Sequence, residues 1–574
     1  MHTNRVEANL WSAQAVLALF PSPATLRTPS MASSSESGSM APALQSSIPH
    51  TCLPSVLVTI LVLACCLVLG GFPSPAAAHH IVVTPLTDTA DPPFNADGVC
   101  GTGTISNLPG ADGLISLREA IIAANNTAGA DTITFDPSLS GGTIVINFDD
   151  LDGDATPDPL PALCGGQTRI DGDLNGDGVP DITLEGGALP VAAPPVAAAG
   201  LLILSSHNTI TGLRLQHFPT GIRVRAGDFT TPGIVEHTRV TNNIVADSKI
   251  DGLFVATGNV PGSRVAHTTL TQNLVMNNAR FGVLVAANLP GAVSGSDTQI
   301  DHTTITDNEV TGNRVYGLYL LSVGDNNVLS DTTIARNTVT GNAFFGINVN
   351  GGFNGADNNT LDVDIKDNTV TDNGLAGIRV VAGQDNSSHN HTEALIRGNT
   401  VERHQSYGIG TFAAQGVALF PTGISNHNVL DVRIEQNTVK EQAGGGITVC
   451  GGLGSPDGRT GAVADNNQVS AIVKHNTVEG NANRGIELCA GGPGTANSNS
   501  VEAWVTHNTV CNNGTDIIGE GGYTGSILVP TPNMGTGNVL TGAIFQNTAT
   551  TVTVADGTPG NTATVTQFKN DACP

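Results

Sequence analysis

The chain has 574 residues, and its 49 acidic and 23 basic side chains give a formal net charge of −26. This acidic balance disfavours nucleic acid and anionic membrane as partners, because binding to phosphate groups needs clusters of lysine and arginine. The same balance suits an exported protein and the binding of cations.

The N-terminal region shows no repeating pattern. Residues 1–52 are rich in Ser, Pro and Ala, which predicts an unstructured extension. Residues 53–78 join an apolar run to a small-residue cleavage-like site, which predicts a secretory signal peptide. The apolar run, 53–70, is also just long enough for a membrane anchor, and this alternative stays open. Both interpretations predict a secreted, extracellular or cell-surface protein.

Residues 79–200 are predicted to cap the N-terminal end of the fold. Ser116, with Glu119 three residues later, forms a capping box that begins a short helix, and Gly129 ends it. The stretch Ser-Leu-Arg-Glu-Ala-Ile from Ser116, followed by Ala-Asn and by Asp-Thr-Ile-Thr-Phe, resembles the CSLREA domain, which stands at the head of β-helical repeats in exported bacterial proteins. The leading Cys of that family is Ile115 here. The resemblance implies a structural role and no catalytic residue.

Two acidic loops in this segment have a spacing that suits Ca²⁺. In each loop, oxygen-bearing side chains recur at positions one, three, five and nine, as in an EF-hand. Leu184 replaces the bidentate Glu of position twelve in the second loop, so we expect modest affinity. The alternative is a solvated acidic turn. The predicted ligands are Asp150, Asp152, Asp154 and Asp158 in the first loop and Asp173, Asn175, Asp177 and Asp181 in the second.

Residues 201–520 contain a repeat whose most regular member is an Asn. An aliphatic residue lies three positions before this Asn, a Val lies two positions after it, and most units have a Gly-aliphatic pair nine and ten positions after it. Aliphatic residues at a period of two, in runs too short for helices, predict strands, and Asn and Gly predict the turns between them. The Asn falls at Asn243, Asn273, Asn308, Asn337, Asn368, Asn399, Asn437, Asn476 and Asn508.

Equal positions of successive units must stack, because no unit can bury its apolar face alone. We therefore predict an all-β solenoid, a right-handed parallel β-helix with a short N-terminal capping helix, in which the Asn side chains form ladders. The repeats resemble those of pectate lyases, other polysaccharide-active proteins and many bacterial surface proteins. The resemblance implies the fold and leaves the activity open. Residues 521–574 lose the register and are predicted to add a C-terminal cap of extra strands.

One predicted surface column, six positions before the repeat Asn, contains carboxylates that suit metal binding. Together with Asp364, which lies beside the column, its stacked carboxylates Asp331, Asp362, Glu393 and Asp431 form a second candidate Ca²⁺ site. In a calcium-dependent polysaccharide lyase the cation would neutralise a uronate carboxylate, and Arg397 or Lys366 would remove the neighbouring proton. The alternative is a solvated face with weak ion pairs between strands.

Six cysteines follow the leader, an even number that permits disulfides in an exported chain. Cys450 and Cys489 occupy equal positions in adjacent units, so we expect their Cα atoms about 5 Å apart, within disulfide range. Two free thiols are the alternative for this pair. Further candidate pairs are Cys100–Cys164 and Cys511–Cys573.

Aromatic residues also stack, eight positions after the repeat Asn, at Phe281, Tyr316 and Phe345. They could form a platform for a sugar. Because they share parity with the inward-facing Val285 and Val349, an internal aromatic stack is the favoured interpretation.

The function predicted first is a binding, adhesion or structural module, with a polysaccharide or a cell-surface component as partner. Only 4% of the residues are aromatic, and no convincing catalytic constellation stands out. We expect a monomer that touches a membrane only through residues 53–70, if these are retained. The alternative is a Ca²⁺-dependent, pectate-type lyase that cleaves uronic-acid polymers by β-elimination.

Overall fold

The structure, a computed structural model, describes residues 77–95, 100–146, 159–187, 199–228, 230–288, 296–415, 423–453, 463–492, 495–522 and 535–573. Its strands form three parallel sheets around one continuous apolar core. Since crossover connections between parallel strands are right-handed, the chain is a right-handed parallel β-helix, as predicted. Within the described ranges no helix is long and apolar enough to cross a membrane. The apolar run at 53–70 lies outside those ranges.

The strands are numbered in chain order. Sheet 1 contains β1 (His79–Val83), β2 (Asp131–Phe135), β4 (Thr168–Asp171), β7 (Thr209–Thr211), β10 (Ile234–Glu236), β11 (Arg239–Thr241), β14 (Arg264–Ala266), β15 (Thr269–Thr271), β18 (Gln299–Asp301), β19 (Thr304–Thr306), β22 (Val328–Ala335), β25 (Thr360–Lys366), β28 (His391–Arg397), β31 (Val429–Glu435), β34 (Gln468–Lys474), β37 (Ser500–Thr506), β40 (Val539–Phe545) and β43 (Thr562–Phe568).

Sheet 2 is built from shorter strands, namely β3 (Thr143–Val145), β5 (Ile182–Glu185), β8 (Leu213–Gln216), β12 (Ile244–Ala246), β16 (Leu274–Met276), β20 (Glu309–Thr311), β23 (Thr338–Thr340), β26 (Thr369–Thr371), β29 (Thr400–Glu402), β32 (Thr438–Lys440), β35 (Thr477–Glu479), β38 (Thr509–Cys511) and β41 (Thr548–Ala549). Sheet 3 contains β6 (Ala199–Ile203), β9 (Thr220–Ala226), β13 (Asp251–Thr257), β17 (Val283–Ala287), β21 (Leu318–Val323), β24 (Phe345–Phe353), β27 (Ala376–Gln384), β30 (Ile409–Gln415), β33 (Ile447–Leu453), β36 (Arg484–Gly491), β39 (Thr515–Gly522) and β42 (Val552–Ala555).

One turn of the solenoid passes through sheets 1, 2 and 3 in that order, as in β25, β26 and β27. A residue in the left-handed region stands at the corner between sheets 1 and 2, such as Asp367 (φ 54°), and another stands at the next corner, such as Asp372 (φ 56°). Asn, Asp and His tolerate this conformation better than other non-glycine residues. The corner geometry therefore explains the polar residues that interrupt the apolar runs.

The repeat Asn follows the first corner and forms a buried ladder along the solenoid. The side-chain oxygen of Asn368 accepts the backbone N–H of Asn337 at 2.9 Å and its side-chain amide at 3.0 Å. The same amide of Asn337 also donates to the carbonyl of Ile305 at 2.8 Å. These bonds satisfy polar groups that the closed core hides from water. The predicted Asn ladder is confirmed.

A second ladder, at the corner between sheets 2 and 3, changes residue type in its middle. The N–H of Asn373 donates to Nδ1 of His404 at 3.1 Å, and the N–H of His404 donates to the side-chain oxygen of Gln442 at 2.9 Å. Asn481 then continues the ladder, accepting from the N–H of Gln442 at 3.0 Å. Burial lowers the pKa of His404 to about 4, so the imidazole is neutral at pH 7.

The Gly of each Gly-aliphatic pair lies where successive turns approach most closely. A Cβ on Gly446 would stand 2.4 Å from Cγ1 of Val478 and 2.6 Å from the carbonyl oxygen of Gly485. Real Cβ atoms do not approach other atoms so closely. The recurring Gly is therefore a packing requirement of the stack.

The N-terminal segment contains the predicted helix, α1 (Leu117–Asn125), beside two 3₁₀ helices, η1 (Ile105–Asn107) and η2 (Pro137–Leu139). The capping box is formed, with Ser116 and Glu119 exchanging side-chain-to-backbone hydrogen bonds. Arg118 is completely buried and pairs with Asp88 at 2.8 Å. The segment also supplies strands: β1, β2 and β4 pair in sequence within sheet 1, and β4 then pairs with β7 of the repeat region. The sheets thus begin before residue 201.

The C-terminal segment also continues the sheets beyond residue 520. Strand β40 pairs with β37, and β43 pairs with β40. The repeat Asn ladder continues as well, because the side-chain amide of Asn547 donates to the oxygen of Asn570 at 3.2 Å. These two residues are 23 positions apart, which is shorter than the 29 to 39 positions between the earlier repeat Asn residues. The repeat was not recognised in this sequence because Ala549 replaces the recurring Val and the last turn is short.

Three disulfides join the cysteine pairs named above. Cys450 and Cys489 are directly opposite on β33 and β36, with Cα atoms 4.6 Å apart. The Cα separation is 5.9 Å both for Cys100–Cys164 and for Cys511–Cys573. The last two pairs close loops at the two ends of the solenoid.

Candidate functional site

The predicted carboxylate column lies on the outer face of sheet 1. Leu361 and Val363 flank Asp362 along β25, and both are fully buried. Asp362 stands directly opposite Glu393, which in turn stands opposite Asp431. Because neighbouring strands of a sheet are about 4.8 Å apart, three negative charges lie in a row. The outward orientation of this part of the column agrees with the prediction.

The remaining predicted members of this site are arranged differently. Asp331 lies where β22 and β25 shift register, and its backbone is in the left-handed region. Its carboxylate is 3.6 Å from the imidazole of His302. Asp364 binds the ammonium group of Lys366 at 2.6 Å. Neither carboxylate therefore joins a ligand set with Glu393 and Asp431 in the described part of the chain.

The two predicted bases, Lys366 and Arg397, are opposite each other on β25 and β28. Lys366 is held by Asp364, whereas Arg397 is exposed. Arg397 is four residues further along β28 than Glu393, about 13 Å at 3.3 Å per residue. A uronate carboxylate bound near Glu393 would place its neighbouring proton far from this guanidinium.

Electrostatic repulsion is evident at the centre of the column. Burial raises the pKa of Asp362 above its ordinary value, and the negative charges of neighbouring carboxylates, Asp364 and Glu393 among them, raise it further. Like charges directly opposite each other destabilise a sheet. A bound cation would relieve this repulsion.

Histidine precedes the carboxylates in the same column, and in three of the earlier turns it lies at a bend between two short strands of sheet 1. The rings of His207, His237 and His267 stack with centroids 4.8 and 4.7 Å apart, and His302 follows at 4.7 Å. All four have left-handed backbones. The left-handed backbone, which His tolerates, accounts for this stack.

His391 is a feature of sheet 1 that the repeat pattern did not reveal. It lies inside β28, on the same face as Glu393, and its Nε2 is 2.9 Å from Asp431 Oδ2 and 3.9 Å from Glu393 Oε1. The donor atoms of these three residues all lie within 4.8 Å of one another. Its partners in adjacent turns are Thr360 and Val429, so no His column pointed to this position.

The second predicted calcium loop is well ordered by its own side chains. Both carboxylate oxygens of Asp173 accept backbone N–H groups, from Gly176 at 2.8 Å and Gly178 at 2.9 Å. Asp181 accepts the N–H of Leu174 at 2.8 Å and the hydroxyl of Ser140 at 2.8 Å. These hydrogen bonds of the carboxylates stabilise the turn. Calcium binding at this loop stays a prediction. The first loop, 150–158, lies outside the described residues.

The outer face of sheet 3 is the most enclosed outer surface of the described solenoid. Strands β13 and β27 are buried along their whole length, on both faces. A separate apolar cluster covers the outer side, and it includes Phe254, Leu284 and Tyr319, which alternate with core residues. Sheet 3 therefore has a second, external packing layer.

The stacked aromatic residues belong to this external layer, which corrects the expectation of an internal stack. The ring centroids of Phe281 and Tyr316 are 5.2 Å apart, and those of Tyr316 and Phe345 are 5.1 Å apart. Phe345 has the parity of the inward-facing Val349, but it is the first residue of β24, directly after the connection from sheet 2, and it packs against the external cluster. The alternation that holds further along the strand does not hold at this first position, so parity gave the wrong face.

Arg379 organises the polar part of the same face. Its guanidinium donates to the side-chain oxygens of Asn348 at 2.9 Å and Gln384 at 2.7 Å, and also to Gln415. It lies over the ring of Phe345, 5.3 Å from the centroid. Arginine, amide side chains and aromatic rings thus meet on adjacent strands. Asn348 and Arg379 share one repeat position, and Gln384 and Gln415 share another. Sequence reasoning missed this group because the residue type changes along the first of these positions.

Tyr407 continues the line of Tyr316 and Phe345 beyond Arg379, and these three rings are called the aromatic edge. Its ring lies 5.8 Å from that of Phe412, and burial raises the pKa of Tyr407 to about 12. Tyr316, Phe345 and Tyr407 are all half-buried, whereas Arg379 is 3% exposed. The three aromatic rings are therefore partly accessible to solvent, whereas the polar group around Arg379 lies beneath the surface.

Comparison with known proteins gives one family match. Residues 195–345 match the family described as "NosD: Periplasmic copper-binding protein (NosD)". The matched segment is about a quarter of the chain. No curated protein sequence matches the chain significantly.

Several solved structures are similar in shape. The A-module of the mannuronan C-5 epimerase AlgE6 from Azotobacter vinelandii is 14% identical, covers 79% of this chain and 94% of its own, and has a TM-score of 0.46. The Dettilon tailspike protein is 13% identical, with 83% and 68% covered and a TM-score of 0.38. Pectate lyase Pel9A is 12% identical, with 58% and 77% covered and a TM-score of 0.28. The fold itself is established by the pairing of this chain's own strands.

Proposed function

We propose that the protein is exported and binds a polysaccharide chain along the outer face of sheet 3. The observation that supports this most is the meeting of Arg379, its amide partners and the half-buried aromatic edge. Ligand sites combine apolar and aromatic walls with a few placed polar groups. Aromatic faces pack against the apolar faces of sugars, and Arg or amide groups bond to hydroxyls and carboxylates.

The direction of the bound polymer follows from the stacking. Tyr316 and Phe345 occupy equal positions in adjacent turns, so a ligand that contacts both runs along the solenoid axis. A repeating polymer matches a repeating surface, because each sugar unit meets a similar strand. Arg379 supplies positive charge in a chain whose net charge is −26, and this favours a polymer with acidic groups.

Export is supported by two independent features. Three disulfides persist in oxidising compartments and are rare in the cytoplasm. The family matched at 195–345 is described as periplasmic. The sequence of residues 53–78 adds the predicted signal peptide.

The binding proposal is tested by affinity electrophoresis and calorimetry with polygalacturonate, alginate and a neutral glucan. We expect Tyr407→Ala and Arg379→Gln to weaken binding at least about tenfold, which corresponds to about 1.4 kcal/mol. Arg403→Gln is the matched control, because Arg403 forms exposed ion pairs with Asp372 and Glu402 at the corner after sheet 2. Equal binding by wild type and both sheet 3 variants would refute the proposal.

The same samples distinguish lyase activity from binding alone. A lyase would produce unsaturated uronides, whose ultraviolet absorbance would rise in the presence of Ca²⁺. Loss of that rise in Arg397→Ala, with polymer binding intact, would establish catalysis on sheet 1. A flat absorbance trace with retained binding supports the binding function.

A further inference from the structure

His391 differs from the stacked histidines of the solenoid. Those histidines have left-handed backbones, a conformation that His tolerates, but His391 lies within the extended strand β28. Its neighbours in adjacent turns, Thr360 and Val429, share no chemistry with it. Neither a left-handed backbone nor the repeat therefore explains an imidazole at this position.

Two carboxylates converge on one nitrogen of this imidazole. Nε2 of His391 is 2.9 Å from Asp431 Oδ2 and 3.9 Å from Glu393 Oε1. A nitrogen with a single proton can donate to only one of these oxygens. Glu393 and Asp431 are also directly opposite each other on adjacent strands, where like charges repel.

The spacing of the three donors suits a metal ion. Ligand atoms about 2.0 to 2.2 Å from a common ion are separated by about 3 Å at right angles and by about 3.5 Å in a tetrahedron. The observed 2.9 and 3.9 Å bracket these values, and all three donor atoms lie within 4.8 Å of one another. Side-chain exposures of 41% for His391 and 46% for Asp431 leave open positions for water.

We propose that His391, Glu393 and Asp431 form a binding site for a divalent first-row transition metal ion, with Zn²⁺ as the representative ion. Imidazole favours Zn²⁺, Cu²⁺, Ni²⁺ and Fe²⁺, whereas Ca²⁺ prefers six to eight oxygen ligands. One nitrogen and two carboxylates therefore select a transition metal over Ca²⁺.

This site differs from the calcium site predicted from the sequence. It keeps Glu393 and Asp431, adds His391, and leaves out Asp364, which binds Lys366. It lies on sheet 1, whereas the proposed polysaccharide face is on sheet 3. The two proposals therefore succeed or fail independently.

The test is a Zn²⁺ titration of the metal-free full-length protein by calorimetry and by competition with a chromophoric chelator. Removing one of the three ligands should lower the affinity for Zn²⁺ at least about 100-fold, because loss of a group that only hydrogen-bonds to a metal ligand already lowers metal affinity about 10- to 100-fold. We expect His391→Gln and Glu393→Gln each to abolish one Zn²⁺ equivalent. His237→Gln is the control, because it changes an exposed histidine of the stack on sheet 1. Circular dichroism without metal checks that each variant folds.

Co²⁺ provides an independent readout, because its visible absorption reports nitrogen and oxygen ligation. The Co²⁺ band should disappear in His391→Gln and persist in His237→Gln. The proposal is overturned if wild type and His391→Gln bind the same number of Zn²⁺ ions with equal affinity. It is also overturned if millimolar Ca²⁺ displaces Zn²⁺ from the site, since oxygen ligation alone would then explain binding.

Discussion

The histidine in the second ladder makes a strong prediction about pH and stability. His404 is 1% exposed, its Nδ1 accepts the N–H of Asn373 at 3.1 Å, and its Nε2 donates to the carbonyl of Val370 at 3.1 Å. Protonation at Nδ1 would remove that acceptor and place a charge in the core. We predict that His404→Asn makes the solenoid more resistant to acid.

The expected size follows from the two pKa values of His404. The folded protein holds the pKa at about 4, mainly through burial, whereas an unfolded His has a pKa of 6.5. Between these values the unfolded chain binds more protons, so stability falls as the pH falls below 6.5. One pKa unit corresponds to about 1.4 kcal/mol, so the wild type loses about 2–3 kcal/mol between pH 7 and pH 4.5. The asparagine side chain of the His404→Asn variant does not titrate, so the variant lacks this loss.

The structure also indicates that asparagine fits at this position. The adjacent ladder step, from Asn342 to Asn373, has the same backbone-to-side-chain bond at 3.0 Å. We therefore expect wild type and His404→Asn to differ by less than about 1 kcal/mol at pH 7.

The measurement is urea unfolding followed by circular dichroism at pH 7 and pH 4.5. Hydrogen exchange of the peptides around 399–412 adds a local value, because stability in a stacked repeat is partly local. His302→Asn is the control, since it alters an exposed histidine with 53% side-chain exposure. The same pH dependence in wild type and His404→Asn would show that the imidazole is not kept neutral by burial.

Two further predictions concern packing and calcium. Gly446→Ala should lower the free energy of unfolding by about 1–3 kcal/mol through overpacking. Gly445→Ala is the control, because its Cβ would come no closer than 3.4 Å to any neighbour, and it should lower the free energy of unfolding by less than about 1 kcal/mol. Equal losses for the two variants in thermal or urea unfolding would contradict the close-approach explanation. If the second acidic loop binds Ca²⁺, added Ca²⁺ should raise the Tm of the wild type, and Asp177→Ala should remove that increase; an unchanged increase in the variant would count against this site.

The sequence determined the solenoid and its ladders for a simple physical reason. Residues at equal positions of a stacked repeat are neighbours in space, so the spacing of Asn337 and Asn368 already fixed their contact. The same reasoning placed Cys450 opposite Cys489. The helix beginning at Ser116 was also readable, because a capping box is local.

Only the tertiary structure decided which faces meet and which side chains converge. Phe345 is the first residue of β24, where the alternation of the strand does not hold, so its outward position could not be read from parity. His391 and Asp431 are 40 positions apart and occupy different positions in their repeats. Their contact depends on how side chains lean across adjacent strands, and a one-dimensional pattern does not contain that information.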